Sequence, residues 1–356
     1  MDKILLTTGG TGGHIFPALA VAEEIRKRWP HAELLFIGSL YGPELRLCAQ
    51  AGIPFTGLPV RGFLGRGLRA IGAGARMGVA LVRAVGLVKR FRPQIVAGFG
   101  GYAAFAPMLA ARLLGIPGVL HEQNAVAGAS NRLLARLAKR VCLSLPDTEG
   151  FAAGKCVLTG NPVREAVAAT GHRSRSSGTR RLLVMGGSQG ARALNDFLPK
   201  ILPDLREAGV EIRHQSGPAD LERTRAAYAT AGYAPECVTA FIDDMAATYA
   251  WADLALCRSG ASSVAELCAA GLPAILVPFP GAIHDHQTRN AQVMENNGAA
   301  RLVAEKDLQE ADLQHFIPEL LADTPRRAAM SAAALAAARP DAAARVVDVL
   351  AEVAGA

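Results

Sequence analysis

The 356-residue chain is long for one hydrophobic core, so two domains are expected. It is 51% apolar but only 5% aromatic, as an alanine-rich soluble α/β protein is. Cys48, Cys142, Cys156, Cys237, Cys257 and Cys268 are scattered with no CxxC or Cys/His spacing, which excludes a zinc module and reads as buried reduced thiols. The net charge of +7 is uneven: residues 1–162 hold 19 Lys and Arg against 8 Asp and Glu, and residues 163–356 hold 19 against 23. A basic first half calls for an anionic partner: nucleic acid, an acidic membrane surface or a phosphorylated substrate.

Strand-like sequence begins at Lys3 with no legible signal peptide before it, so a cytoplasmic location is expected. The first apolar run, 3–8, enters the turn Gly9-Gly10-Thr11-Gly12-Gly13-His14, and helical spacing begins at Phe16 and Pro17. Glycines let a backbone approach a ligand closely, and the helix behind them offers unpaired N–H groups to an anion. His14 brings a titratable group to the mouth of that turn.

A second strand is expected at 33–38. Arg69, Arg76, Arg83 and Arg90 then recur every seven residues, which on a helix drifts only ~20° per heptad and aligns them in one stripe. The stripe suits either a solvated face or a helix resting on anionic lipid, where each basic group contributes ~1 kcal/mol. Phe63 and Leu64, between Arg61 and Arg66, form a shallow apolar tip for the second case. The long apolar stretch 71–88 is broken by Arg76 and Arg83 and does not read as a membrane span. Basic and aromatic residues are not interleaved and no nucleic-acid module is legible, so nucleic acid is not the expected partner.

A strand at 94–98 leads into Gly98-Phe99-Gly100-Gly101-Tyr102-Ala103. This fits a G-x-G-x-x-A dinucleotide turn, with Glu122 at the distance of a ribose contact, or else a second grip on a diphosphate held by the first turn. Strands at 118–121 and 141–145 follow. Gly160-Asn161-Pro162 breaks the pattern, which puts the linker at 160–165, and a polar surface loop is expected at 171–179.

Beyond it, a strand at 181–186 ends in Gly186-Gly187-Ser188-Gln189-Gly190. Strands are expected at 210–215, 237–241, 253–257, 274–277 and 300–303. The alternation with helices argues for parallel sheets covered on both faces. After 253–257, the run Arg258-Ser259-Gly260-Ala261-Ser262-Ser263-Val264-Ala265-Glu266 opens a helix. Ser263 and Glu266 have the spacing of a capping box; alternatively the serines face phosphate and Glu266 takes ribose hydroxyls. His284-Asp285-His286-Gln287 suggests a metal, but no carboxylate cluster completes a site, and a loop reaching sugar hydroxyls explains it better. The helical segment from Arg326 is interrupted by Pro340, a restart that would send the last helix back to the first domain.

Read in order, GGTGGH at 9–14, GFGGY at 98–102, HEQN at 121–124, GNPVR at 160–164, GGSQGA at 186–191, FIDDM at 241–245, RSGASSVAE at 258–266 and the Gln287 loop resemble the MurG family of peptidoglycan N-acetylglucosaminyltransferases. The match spans nearly the whole chain. It implies a GT-B fold of two Rossmann-like parallel-sheet domains with a cleft between them. The expected domains are 1–162, joined by 341–356, for acceptor and membrane, and 163–340 for the UDP-sugar. The implied reaction transfers N-acetylglucosamine from UDP-N-acetylglucosamine to undecaprenyl-diphosphate-linked muramoyl-pentapeptide (lipid I), giving lipid II. It would occur on the cytoplasmic face of the inner membrane, with the protein bound peripherally.

Carried onto this sequence, the resemblance puts Thr11, Gly12 and Gly13 at the donor side, Asn124 on the donor sugar, and Arg164 and Ser188 by the donor diphosphate. Ile242 meets the uracil edge through its backbone. Ala261, Ser262, Ser263, Val264, Ala265 and Glu266 hold phosphate and ribose, and Gln287 binds sugar hydroxyls. His286 stands where the family often has another glutamine, and this loop carries an extra residue. Inverting transfer needs a base for the acceptor 4-hydroxyl: His14 is expected in that role, or as a positioning donor, with Glu122 in reserve. No metal or cofactor is expected. The lipid diphosphate should lie against Gly13, Gly100, Gly101 and Tyr102, near a membrane face formed by Phe63, Leu64, Arg69, Arg76 and Arg83.

Overall fold

The computed structural model describes residues 1–10, 12–60, 69–146, 148–172, 178, 180–187 and 190–356, without the side chains of 69–75, 172 and 283. The chain forms two compact units, 1–164 with 339–356, and 165–338. The sequence reading put the crossings at 162/163 and 340/341.

The first unit holds a seven-stranded sheet. Its strands are β1 Lys3–Thr7, β2 Glu33–Ser39, β3 Phe55–Leu58, β4 Ile95–Gly98, β5 Gly118–Glu122, β6 Arg140–Leu143 and β7 Cys156–Leu158. Their order is β3-β2-β1-β4-β5-β6-β7, and every pairing is parallel. Helices cover both faces, so the central strands read as unbroken apolar runs: Ile4, Leu5 and Leu6 are fully buried. The edge strands β3 and β7, absent from the sequence reading, are short and half-exposed and carry no such run.

The helix Gly12–Arg28 starts four residues before the expected Phe16. Side-chain periodicity is silent across Gly12-Gly13, so spacing alone places the start too late. Its Ile15, Leu19, Ala22 and Ile25 recur on one face and enter the core beneath β1. Val346, Val347, Val349 and Leu350 of the terminal helix Ala342–Ala354 join the same core. Burying each such side chain is worth ~1.5–3 kcal/mol. The preceding helix ends at Ala337, and Pro340 sits in the break. Gly160, at φ +88°, allows the returning chain to pass, since a Cβ there would stand 2.6 Å from the Arg339 side chain.

The helix Arg69–Phe91 buries Ala80, Ala84 and Val88 and leaves Arg76, Arg83 and Arg90 exposed. On the same helix Val88 is buried but Val82 is 74% exposed, so its apolar residues divide between core and surface. Phe63 and Leu64 lie outside the described residues. Among the described residues no helix is long and apolar enough to cross a membrane.

The second unit holds a six-stranded sheet, β8 Arg181–Met185, β9 Glu211–Gln215, β10 Val238–Thr239, β11 Leu254–Cys257, β12 Ala274–Leu276 and β13 Ala300–Leu302. It runs β10-β9-β8-β11-β12-β13, again wholly parallel. A buried ion pair braces it: Asp253 Oδ1 lies 3.2 Å from Arg327, and Asp253 Oδ2 accepts the Arg181 amide at 3.1 Å.

Candidate active site

Each sheet winds outward in two directions from a central pair, and the crevice beyond the strand ends at that pair is where doubly wound sheets bind ligands. In the first unit the pair is β1 and β4, in the second β8 and β11. The glycine turns of the sequence follow β1, β4 and β8, and the run Arg258–Glu266 follows β11. Four separate motifs therefore fall on two switch points.

The two turns of the first unit pack on each other. The Gly9 amide donates to the Gly100 carbonyl at 3.2 Å, and the Thr8 hydroxyl donates to the same oxygen at 3.3 Å. Gly101 has φ +76°, and a Cβ on it would lie 1.9 Å from the Gly9 oxygen, so only glycine permits this contact. Glu44, invisible in the sequence as a site residue, is fully buried behind them; its Oε1 accepts the amides of Gly10 at 3.2 Å and Ser39 at 3.3 Å. Gly12 is buried and Gly13 exposed, while Tyr102 is half-buried in a short 3-10 turn, Tyr102–Ala104. Thr11 lies outside the described residues.

His14 sits in the first turn of its helix, half-buried, with Nδ1 2.8 Å from Gln123 Oε1. Gln123 Nε2 donates to the Phe99 carbonyl at 3.0 Å and to His121 Nδ1 at 3.1 Å. His121 Nε2 in turn donates to the Gly160 carbonyl at 3.0 Å. Burial lowers the His121 pKa to about 4, against the hydrogen bond to Gly160, so the ring is neutral. His121 and Gln123 were noted in the sequence only within the HEQN motif and given no role; their i, i+2 spacing at the end of β5, which puts them on one face, was the available signal.

Glu122 points the other way and is fully engaged. Its Oε1 accepts from the Asn124 amide at 2.9 Å and Asn124 Nδ2 at 3.2 Å; its Oε2 accepts from Asn131 Nδ2 at 2.8 Å and the Gly128 amide at 3.3 Å. Only 1% of the residue is exposed. This corrects its reading as a dinucleotide ribose contact and as a reserve base: the carboxylate ties the 124–131 loop to the sheet. Arg164 lays its guanidinium 4.5 Å from the centre of the Phe16 ring, two residues beyond His14 on the same helix.

In the second unit, Gly260 caps the helix Ala261–Ala269 with its backbone alone. The cap precedes Ser263, so the capping box expected of Ser263 and Glu266 does not form. Glu266 is buried, and its Oε2 accepts from the Tyr249 hydroxyl at 2.9 Å. Ala261, Ser262 and Ser263 are half-buried in the helix's first turn; Val264 is buried and Ala265 half-buried. The Ser259 hydroxyl donates to the Gln287 carbonyl at 2.9 Å, and Gln287 Oε1 accepts the Phe279 amide at 2.9 Å. The Phe279 amide thereby fixes which end of the Gln287 side-chain amide is its oxygen. Arg258 donates to the carbonyls of Val277 and Pro278, both at 3.1 Å, and pairs with Glu305, locking the strand end under that loop. His284 and Asp285 both have positive φ, and Asp285 accepts from the Thr288 hydroxyl at 2.7 Å. Among the described residues no group of His, Cys, Asp and Glu is placed to hold a metal ion. Ile242 is half-buried in irregular chain before the helix Met245–Trp251, and Ser188 lies outside the described residues.

Two doubly wound parallel sheets, each with glycine turns at its switch point, are the build of a nucleotide-binding α/β enzyme. The chain belongs to glycosyltransferase family 28: the model of the family's N-terminal domain matches residues 4–143 and that of its C-terminal domain residues 181–346. The protein is a glycosyltransferase, with the two parallel α/β domains expected of the GT-B class. It is 58% identical, over 99% of this chain and 98% of the other, to the UDP-N-acetylglucosamine–N-acetylmuramyl-(pentapeptide) pyrophosphoryl-undecaprenol N-acetylglucosamine transferase of Nitratidesulfovibrio vulgaris strain DP4. A protein of the same name from Solidesulfovibrio magneticus is 49% identical over 96% of this chain and 95% of its own. Among solved structures, Acinetobacter baumannii MurG superposes with a TM-score of 0.74 at 35% identity, covering 99% of this chain and 100% of that one. A UDP-N-acetylglucosamine 2-epimerase superposes at 0.67 with 17% identity over 99% of this chain and 97% of its own, a likeness of fold alone.

Proposed function

We propose that this glycosyltransferase moves N-acetylglucosamine from UDP-N-acetylglucosamine to the 4-hydroxyl of the muramoyl sugar in undecaprenyl-diphospho-muramoyl-pentapeptide, forming lipid II with inversion at C1. The observation that carries the reading is the 58% identity, across nearly the whole of both chains, to a relative bearing that name. Uridine, ribose and diphosphate fall to the second unit: the Ile242 backbone, the turn Ala261–Glu266 with Glu266 held by Tyr249, and Ser188. Arg164 neutralises charge growing on the leaving diphosphate, aided by the opening of the helix Ala261–Ala269. Asn124 and Gln287 hold the sugar.

The acceptor diphosphate lies on the packed glycine turns, at Gly13, Gly100, Gly101 and Tyr102. His14 takes the proton of the attacking hydroxyl, a step that a positioned base accelerates by ~10²–10⁴-fold. The exposed Arg76 and Arg83 beside Val79 and Val82, with Arg69, Phe63 and Leu64, rest on anionic lipid at the cytoplasmic face of the membrane.

The test is transfer of radiolabelled sugar to a short-chain lipid I analogue, beside an incubation with UDP-N-acetylglucosamine alone. Labelled lipid II, lost in His14→Ala while UDP-sugar binding persists, is the expected result. Turnover of the donor without acceptor, and no labelled lipid with it, would make this an epimerase.

A further inference from the structure

We infer that Gln123 and His121 are positioning residues that fix the tautomer of His14, keeping its ring proton on Nδ1 so that Nε2 carries the lone pair. The inference deepens the reading of His14 as the base, and it follows from two atoms that can only accept. The Phe99 carbonyl lies 3.0 Å from Gln123 Nε2, which settles the orientation of that amide: reversed, it would set oxygen against oxygen. Gln123 Oε1, also an acceptor only, then faces His14 Nδ1 at 2.8 Å, so Nδ1 must hold a proton.

The second anchor is the Gly160 carbonyl, 3.0 Å from His121 Nε2, which assigns that nitrogen its proton and leaves His121 Nδ1 to accept from Gln123 at 3.1 Å. Gln123 is thus held from two sides, and it is 2% exposed, as His121 is 1%. The second nitrogen of a histidine is set by the bond the first one makes. Burial, which keeps His121 neutral, protects the chain, because an Nδ1 proton on that ring would point a donor at a donor. Leucine at 123 would remove the acceptor, whereas glutamate, its second oxygen protonated so as to donate to the Phe99 carbonyl as Nε2 does, would keep one of the same reach.

The test reads the tautomer directly. In a two-bond proton–nitrogen correlation spectrum of the full chain with labelled histidine, assigned through His14→Asn, His14 should show the Nδ1–H pattern at neutral pH. Gln123→Leu should move it toward Nε2–H and lower kcat by roughly ten- to a hundredfold, a share of what a positioned base supplies, with KM for UDP-N-acetylglucosamine unchanged. Gln123→Glu should restore the Nδ1–H pattern and raise turnover above that of the leucine variant. An Nε2–H pattern in the wild type, or a leucine variant with unaltered spectrum and kcat, overturns the inference. Full turnover in His14→Asn removes the base role instead, and the wild-type spectrum judges the tautomer apart from it.

Discussion

Acid should destabilise the first unit through His121. The folded pKa of about 4 lies below the ~6.5 of an exposed histidine, so between these values the unfolded chain binds the extra proton. The contribution of this residue is therefore complete above ~pH 6.5 and is lost as the pH falls toward 4. At pH 5, some 1.5 units below the unfolded value, the loss is about 2 kcal/mol at ~1.36 kcal/mol per unit. The structural cause is plain: a second ring proton turns His121 Nδ1 from the acceptor of Gln123 into a donor facing it. Denaturant unfolding at pH 7.5 and 5.0 should compare the wild type with His121→Gln, which does not titrate and can still donate to Gly160. The variant should start less stable but lose ~2 kcal/mol less between the two pH values. His214, lowered to about 3 by burial in the second unit, is present in both proteins and cancels from the comparison. Equal losses in the two would show that His121 does not bind its proton as the geometry requires.

Three further outcomes are expected. Gly101→Ala forces a Cβ to within 1.9 Å of the Gly9 oxygen at a backbone angle costing ~1–2 kcal/mol by itself, so the melting temperature should fall and sugar transfer with it; a variant that keeps both would show the turns can part harmlessly. Tyr249→Phe removes the donor to buried Glu266, which should cost ~1–3 kcal/mol of stability and weaken UDP binding in calorimetry, and unaltered affinity would separate Glu266 from the nucleotide. Arg76→Glu with Arg83→Glu should weaken binding to anionic vesicles by more than ~1 kcal/mol per residue at low salt, and unchanged sedimentation would leave the stripe a solvated face.

Much of the fold was legible because parallel strands buried on both faces write themselves as apolar runs, as Ile4-Leu5-Leu6 does. The edges β3 and β7 escaped because an edge strand buries little and needs no such run. In the site, glycine turns announced themselves by composition. The partners of the charged residues did not, since they come from far along the chain: Glu44 reaches Gly10, and Tyr249 reaches Glu266. Ser263 and Glu266 had the spacing of a local cap, but Gly260 had already opened the helix, and spacing cannot say which residue comes first. Glu122 looked available because a sequence shows a carboxylate and hides the four donors around it.

The return of the helix Ala342–Ala354 into the first unit has a consequence for how the molecule is made. During synthesis the β1 sheet emerges early, yet one wall of its core is supplied only after the whole of residues 165–338 has been translated. Until then β4, β5 and β6 lack that cover, and only the Gly12–Arg28 helix shields Ile4 and Leu6, so the early sheet must wait, half-clad, for the chain's last turns. A protease cutting once near 339 would likewise leave the first unit intact only as two pieces held together by that apolar wall.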